Sequence, residues 1–352
     1  MVDFQKQLTS GTKIQEYSLA DVLKLVSYGS ELRAAFEKLA KSNRGAIVVL
    51  SEKAMSVSEG GFKINSSFTA QKLAELAKMD GAIIVDSKLR RILYANTMLT
   101  PNSRIKSKET GTKHKAGERT AKQLKVIVIV VSEKSSIISV YYGDNKYILN
   151  ELTELQYKVR ESIENIEMES SEIESSLKKF DSLEISSNVN IDDLAQIINK
   201  FILFFKDCET SSIYTSELGR YGETFKTRYN IVIGGVKDEF LNLERDYNEY
   251  FHMERVIDSI KRLKTPTIDQ SVKILQLNVK NGMLKDKFTP LGYRVLSKLQ
   301  INKDAIKKII DEYINLSLII SADVKEISEV GGIDQEKARG IKDFLLSRVV
   351  II

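Results

Sequence analysis

The strongest constraint on this chain is a change of pattern near residue 151. From there, "LTELQYKVRESIENIEMESSEIESSLKKF" sets Ile or Leu at every third or fourth position without a proline, the signature of a long amphipathic helix. Two further stretches, "IDDLAQIINKFILFFKDCE" and "GVKDEFLNLERDYNEYFHMERVIDSIKRLK", extend it into a helical bundle, with "GG" at 234–235 and "TPT" at 265–267 expected as its turns. Such segments space domains or oligomerise. Within them, His252 reads as an ordinary helix residue and Cys208 as an ordinary buried thiol. A chain of 352 residues exceeds what one core serves, and 42% hydrophobic residues supply enough for several. The expected division is 1–150, 151–285 and 286–352.

The first 150 residues alternate helix-like and strand-like patterns. "SELRAAFEKLAKSN" (30–43) repeats apolar residues at 32, 36 and 39 and runs into "GAIVVL" (45–50). "TAQKLAELAKM" (69–79) does the same with Leu73, Leu76 and Met79, with Thr69 as N-cap, before "DGAIIV" (80–85). "RRILYAN", "VIVIVV", "SIISVYY" and "KYILN" read as strands, the last two joined by a "GDN" hairpin turn whose Gly and Asn tolerate positive φ. The expected fold class is an N-terminal mixed-sheet α/β domain with its sheet covered by helices, followed by an all-α remainder.

Charge is unevenly spread. Residues 1–150 carry 24 Lys+Arg against 14 Asp+Glu, residues 151–285 carry 18 against 24, and the rest 11 against 10. A basic first domain suits a polyanion or a phosphorylated small molecule, or is simply a solvated basic face; the acidic middle is a poor surface for nucleic acid. The single cysteine excludes an internal disulfide. "VIVIVV" is far shorter than the roughly 20 residues of a membrane span, and "MVDFQKQLTSGTKIQEY" has no apolar signal core. The expectation is a cytoplasmic protein without a membrane partner.

Three stretches carry chemistry. In "ETGTKHKAGERTAKQ" (109–123), Gly111 and Gly117 bracket a segment in which Thr112, Lys113, His114 and Lys115 offer donors, ahead of a helix expected to begin near Glu118. This reads as a phosphate-binding loop. Neither the GxxxxGK[ST] nor the G-x-G-x-x-G cradle is present. In "AKMDGAIIV", Asp80 follows a helix and opens a strand, and Gly81 leaves room for close approach, which suits a divalent metal meeting a nucleotide hydroxyl; "DG" is also common in turns. At the C-terminal end, "LSKLQINKDAIKKIIDEY" and "DVKEISEVGGIDQEKARGIKDFLLSR" each read as helix, tight turn, helix. The second has the layout of a helix-hairpin-helix, whose turn offers N–H groups to a DNA phosphate. Asp334 stands where that pattern has a second glycine and sets a negative charge there; plain packing pairs share the layout.

The stretches "GSELRAAFEKL", "EGGFKINSSFTAQKLAELAKMDGAIIV", "YANTML", "ETGTKHKAGERTAKQ", "IISVYY" and "VGGI" occur in that order, and in them the chain resembles the diadenylate cyclase family. The first 150 residues are the specific part; the middle helices match in character more than in letters. The resemblance implies a cyclase domain joined by a helical spine to a helix-hairpin-helix domain, in a homo-octamer whose cyclase domains meet face to face. It implies condensation of two ATP into cyclic di-AMP with Mg2+ or Mn2+, and branched, Holliday junction-like DNA as a partner. By the same resemblance Asp80 serves the metal and the attacking 3′-hydroxyl, and Gly81 contacts the nucleotide. Leu99 lines the base pocket, Thr112, Lys113, His114, Lys115 and Ala116 form the triphosphate loop, and Ser132 and Glu133 lie near the phosphates. Gly331, Gly332, Ile333 and Lys337 would face DNA. The family loop usually reads GTRHRTAER, so Lys113 and Lys115 replace arginines and lose the bidentate fork, while Ala116 replaces a threonine. The alternative is a catalytically weak or inactive ATP-sensing, DNA-binding scaffold.

Overall fold

The computed structural model describes residues 17–280 and 285–348. The first sixteen residues, on which the signal-segment expectation falls, lie outside them. The chain divides into two compact units, one of residues 1–159 with 212–225 and one of 160–211 with 226–352.

The first unit is built on a mixed eight-stranded sheet. Its strands are β1 (Ala46–Leu50), β2 (Ser58–Glu59), β3 (Phe62–Ser67), β4 (Ala82–Val85), β5 (Arg91–Leu99), β6 (Ile127–Val131), β7 (Ile138–Tyr142) and β8 (Asn145–Ile148). The order is β2-β5-β4-β1-β6-β7-β8, with β3 paired to β5; β1 and β4 run parallel and the other pairs antiparallel. Every residue of β1, β4, β6 and β7 is buried, because helices cover both faces and alternate side chains then find apolar surroundings either way. That is why these strands are continuous aliphatic runs in the sequence.

One face, with Val48, Ile83, Val85, Ile127, Ile129 and Val140, packs against Val22, Phe36, Leu39 and Leu73 of α1 (Leu19–Val26), α2 (Glu31–Lys41) and α3 (Ala70–Leu76). The other, with Ile47, Val49, Ile84, Val128 and Val130, packs against α4 (Thr112–Leu124). There Gly117 is needed for contact: a Cβ would lie 2.7 Å from Val130 Cγ2. Ser18, Ser30 and Thr69 cap α1 to α3 by accepting from the N–H of Asp21, Arg33 and Lys72. Tyr142 and Asn145 close the two-residue β7–β8 hairpin, with Gly143 at φ +56°.

The chain continues as α5 (Leu152–Ile185), α6 (Ile191–Leu218), a 3-10 turn at Gly219–Gly222 and α7 (Glu223–Tyr247). The end of α6 belongs to the first unit because buried Glu217 accepts from Arg33 (3.2 Å), the Asn150 N–H (2.6 Å) and the Tyr147 hydroxyl (2.8 Å). The expected turn at Gly234–Gly235 is corrected: both lie inside α7, with nothing near their missing Cβ positions. Two exposed glycines cost a helix roughly 2 kcal/mol together, and buried Tyr229, Val236 and Phe240 hold that helix in place. The break falls instead at Gly219, at φ +57°.

In the second unit, α8 (Met253–Lys261) and α9 (Ile268–Leu277) flank the predicted "TPT" turn, and Thr267 forms a capping box with Gln270. His252 precedes α8 at its N-cap position, so it is not a helix-interior residue. Cys208 is buried and burial pushes its thiol pKa up. Five short helices follow: α10 (Tyr293–Leu296), α11 (Lys303–Tyr313), α12 (Leu316–Ser321), α13 (Val324–Gly331) and α14 (Gln335–Leu346). The first helix of the expected leading hairpin is thus only one turn, and ends where that stretch begins. These helices enclose a core of Val295, Ile309, Ile319, Ile327, Ala338 and Ile341. Beneath it, fully buried Arg294 bridges Asp181 (2.6 Å), Glu184 (2.5 Å) and Glu239 (3.1 Å). Buried Asp246 accepts from the N–H groups of Gly292, Tyr293 and Arg294. Among the described residues no helix is long and apolar enough to cross a membrane.

Candidate functional site

Parallel β1 and β4 begin side by side, and antiparallel β5 and β6 end beside them: Ala82 pairs with Thr97, and Ala46 with Val131. The residues just beyond this end of the sheet are therefore neighbours. They are Gly45 before β1, Asp80 and Gly81 before β4, Met98 and Leu99 closing β5, and Ser132 and Glu133 after β6.

The first turn of α4 comes to the same place. The helix begins at Thr112, six residues before the expected start at Glu118, so Thr112 to Lys115 are helical and not loop. Gly111 caps it without a side chain, and the first turn has no acidic residue. Among the described residues no side chain caps the opening N–H groups of α4, while the helix's positive end adds to Lys113, His114 and Lys115. Uncapped N–H groups, a helix dipole and cationic side chains make an anion site.

Lys113 Nζ lies 3.4 Å from the Gly45 carbonyl oxygen and 3.9 Å from Asp80 Oδ1. A Cβ on residue 45 would meet both Lys113 Nζ and Glu133 Cβ at 3.2 Å, so Glu133 borders the same spot. The acidic and the cationic stretch, about thirty positions apart in the chain, thus converge. The Asp80 side chain is fully exposed, so the pair adds little stability and the carboxylate faces solvent. Among the described residues no group of three or more His, Cys, Asp or Glu is placed to hold a metal. Gly81 has φ +93°, and a Cβ there would sit 2.8 Å from the Asn96 carbonyl carbon and 2.9 Å from the Thr97 oxygen. Its glycine is required by strand β5, whatever else it touches.

His114 is half-buried, with Nδ1 2.8 Å from the Tyr141 hydroxyl. Burial lowers its pKa; Glu109 opposes that shift and Lys146 adds to it. Glu109 pairs with Lys146 at 2.6 Å. Burial would raise the Glu109 carboxyl, but Lys146 and Tyr141 outweigh it and hold the pKa below the usual value. The Tyr141 hydroxyl is pushed up by burial and by Glu109. Sequence reasoning missed Glu109, Tyr141, Lys146 and Gly45. Glu109 lay inside the very stretch singled out, but its partners come from β7 and β8.

The segment before α4 is pinned to that helix. The Asn102 N–H donates to Gln123 Oε1 (2.8 Å), Arg119 Nε to the Ile105 oxygen (2.9 Å) and Lys122 Nζ to the Lys106 oxygen (3.1 Å). Glu118 accepts from the Ser107 hydroxyl and from the Lys108 N–H (3.0 Å). Leu99 and Ala116 both pack, partly buried, against the cluster of Val128, Val130 and Tyr141. Ser132 starts the β6–β7 turn, its hydroxyl oxygen accepting from the Ser135 N–H (3.3 Å).

Gly331, Gly332, Ile333 and Lys337 lie in the second unit. Gly332 ends α13 at φ +60°, and a Cβ on Gly331 would meet Ile309 Cδ1 at 3.0 Å. Asp334 caps α14, accepting the Lys337 N–H (2.8 Å) and pairing with Lys337 Nζ (3.0 Å). One of the N–H groups a phosphate would use is already taken.

Residues 33–146 match the family model described as DisA bacterial checkpoint controller nucleotide-binding, and residues 149–279 match its linker region. The DNA integrity scanning protein DisA of Clostridium beijerinckii is 31% identical over 333 residues, covering 93% of this chain and 94% of that protein. That of Carboxydothermus hydrogenoformans is 32% identical over 333 residues, covering 92% and 94%. That of Acetivibrio thermocellus is 29% identical over 346 residues, covering 96% of each.

Proposed function

Since the chain belongs to the DNA integrity scanning protein family, we propose that it condenses two ATP into cyclic di-AMP and two pyrophosphates where two copies of the first unit face each other. The observation that carries this is the convergence of Asp80 with the uncapped, cationic start of α4. The product has two 3′–5′ phosphodiesters and each site holds one ATP, so each 3′-hydroxyl must attack the α-phosphorus held by the facing copy. An O3′–Pα bond forms, the Pα–O bond to pyrophosphate breaks, and the hydroxyl proton passes to solvent.

The residues divide this work. The opening N–H groups of α4, with Thr112, Lys113, His114 and Lys115, hold the triphosphate and stabilise charge on the departing pyrophosphate. Leu99 offers the base an apolar wall, and Ala116 continues the triphosphate segment. Asp80 orients the 3′-hydroxyl, and Gly81, Ser132 and Glu133 border the nucleotide. One exposed carboxylate fits Mg2+ or Mn2+, which take one or two protein carboxylates and fill the rest with phosphate oxygens and water. When bound, such an ion would supply charge neutralisation at the phosphates.

The proposed assembly is an octamer, and the proposed functional division is a cyclase domain (1–150), a spine (151–285) and a DNA-binding domain (286–352). In the last, the α13–α14 pair would meet branched DNA through Gly331, Gly332, Ile333 and Lys337, weakly because Asp334 caps α14. A second reading, an ATP-sensing DNA-binding scaffold of little or no turnover, is favoured by Lys113 and Lys115 in place of arginines and Ala116 in place of threonine.

Incubating the full chain with ATP and Mn2+ and separating products by chromatography tests the main reading. Cyclic di-AMP is the expected product. ATP binding and salt-sensitive retention of branched duplexes without product would establish the scaffold instead.

A further inference from the structure

We propose that the first unit carries a DNA contact of its own, a ribbon of residues 102–108 in which Arg104, Lys106 and Lys108 track the phosphates of a duplex without reading its sequence. It goes beyond the proposed cyclase reaction, which uses none of these residues, and it is separate from the α13–α14 pair of the second unit.

The segment lies between β5 and α4, and its residues alternate in exposure. Ile105, Ser107 and Glu109 are partly buried, while Arg104, Lys106 and Lys108 are exposed, so every second side chain turns to the same side, as in a strand. The inward side is fixed to α4. The Ser107 hydroxyl and the Lys108 N–H donate to Glu118, Arg119 Nε donates to the Ile105 oxygen at 2.9 Å, and Lys122 Nζ to the Lys106 oxygen at 3.1 Å. At the near end the Arg104 N–H donates to Asn102 Oδ1 at 3.0 Å. The backbone beneath the three cations is therefore held in place. Their charged ends are not: none of the three side chains has an ion pair or hydrogen bond among the described residues. The carboxylates of Glu109 and Glu118 do not supply a counter-charge, since Lys146 and Lys122 take them, each at 2.6 Å.

What such a ribbon can hold follows from its shape and composition. The four residue steps from Arg104 to Lys108 span at most about 14 Å, and the three cations stand exposed, whereas small ligands are taken in concave, largely apolar sites. A ligand that repeats its charge along a line engages all three at once. Duplex DNA, with a phosphate about every 3.4 Å along each strand, places roughly four within that length. Ile105, the one apolar side chain between Asn102 and Lys108, is turned inward, so the ribbon has nothing to insert into a membrane or to anchor a protein partner. The excess of cations in residues 1–150, 24 against 14, draws a polyanion toward this unit.

Gel-shift titration of the full chain with a duplex of about 30 base pairs and arbitrary sequence, from about 50 to 200 mM salt, tests this. Combining Arg104→Ala, Lys106→Ala and Lys108→Ala is expected to flatten the slope of log affinity against log salt by at least about 2.7, at about 0.9 per phosphate contact, and to weaken binding at least about tenfold at about 100 mM salt. Removing three exposed cations elsewhere on the unit, by Lys38→Ala, Lys41→Ala and Lys88→Ala, lowers the net charge equally and is expected to change the slope by less than about 1. Equal flattening in the two triple variants, an unchanged slope in the ribbon variant, or no duplex bound by the wild-type chain overturns the inference. An unchanged slope with a raised KM for ATP overturns it in favour of the facing copy's nucleotide, and an unchanged slope with lost binding to phosphatidylserine vesicles in favour of a membrane. Absence of cyclic di-AMP removes the proposed reaction and leaves this DNA contact standing.

Discussion

Gly81→Ala separates a structural from a functional role at the heart of the site. At φ +93° an alanine is strained by about 1–2 kcal/mol, and its Cβ would lie 2.8 Å from the Asn96 carbonyl carbon, 2.9 Å from the Thr97 oxygen and 3.0 Å from Asn96 Cα. These are backbone atoms of β5, paired to β4 and β3, and they cannot retreat without loss of ladder hydrogen bonds. Overpacking of this kind adds roughly 1–3 kcal/mol. The total, roughly 2–5 kcal/mol, should accelerate amide exchange in β4 and β5 from about 30-fold to several thousand-fold, a tenfold change being about 1.4 kcal/mol. Hydrogen exchange read by mass spectrometry suits the test because it reports on the first unit alone. Gly60→Ala is the control: φ is +65°, but nothing lies within 4 Å of its missing Cβ, so only the conformational part, about 1–2 kcal/mol, applies. Equal effects at the two positions, or acceleration below about threefold at Gly81, would refute the steric argument and make nucleotide contact the reason for glycine there.

Arg294→Ala leaves fully buried Glu184 without a cation, while Asp181 keeps Lys298 (2.7 Å) and Arg348 (2.9 Å), and should cost the second unit about 3–5 kcal/mol; a urea midpoint unchanged from wild type would contradict this. Asp246 is pushed up to about 7 by burial and by Glu184, against the pull of three backbone N–H donors. Its folded pKa exceeds the unfolded one, so its contribution is complete below about pH 4 and is lost as the pH rises through 7. The second unit's urea midpoint is expected to fall from pH 5 to pH 8, and to fall less in Asp246→Asn; equal slopes would exclude Asp246 as the cause.

The parts of this fold legible in the sequence are those where one signal sufficed. "VIVIVV" and "GAIVVL" read as strands because both faces of the sheet are covered, and Thr69 marked the start of α3 by its own side chain. β3 escaped notice because "FKINSS" has mostly polar residues and is largely exposed, held by its pairing to β5. The glycine pair at 234–235 misled because a local breaker signal was overridden by packing on both sides of it. The start of α4 was misplaced because Gly111 caps it without a side-chain signature, and the same lack of a cap leaves the helix end open for the proposed phosphate site. Asp80 and the Lys113–His114 stretch stood out in the sequence by residue type, and the structure brings Lys113 Nζ to 3.9 Å from Asp80 Oδ1. The His114–Tyr141 contact was not legible, since it joins residues 27 positions apart through the pairing of β6 with β7.

The central claim is that Asp80 and the start of α4 serve one nucleotide, the first acting on its hydroxyl and the second on its phosphates. Asp80→Asn keeps the size of the side chain and removes its charge, and since that side chain is fully exposed the fold is expected to be unaffected. Measured side by side, ATP affinity should remain within about tenfold of wild type while cyclic di-AMP formation drops by roughly 10²-fold or more, the usual cost of misplacing a reacting group. Product formation by Asp80→Asn at the wild-type rate would contradict the account.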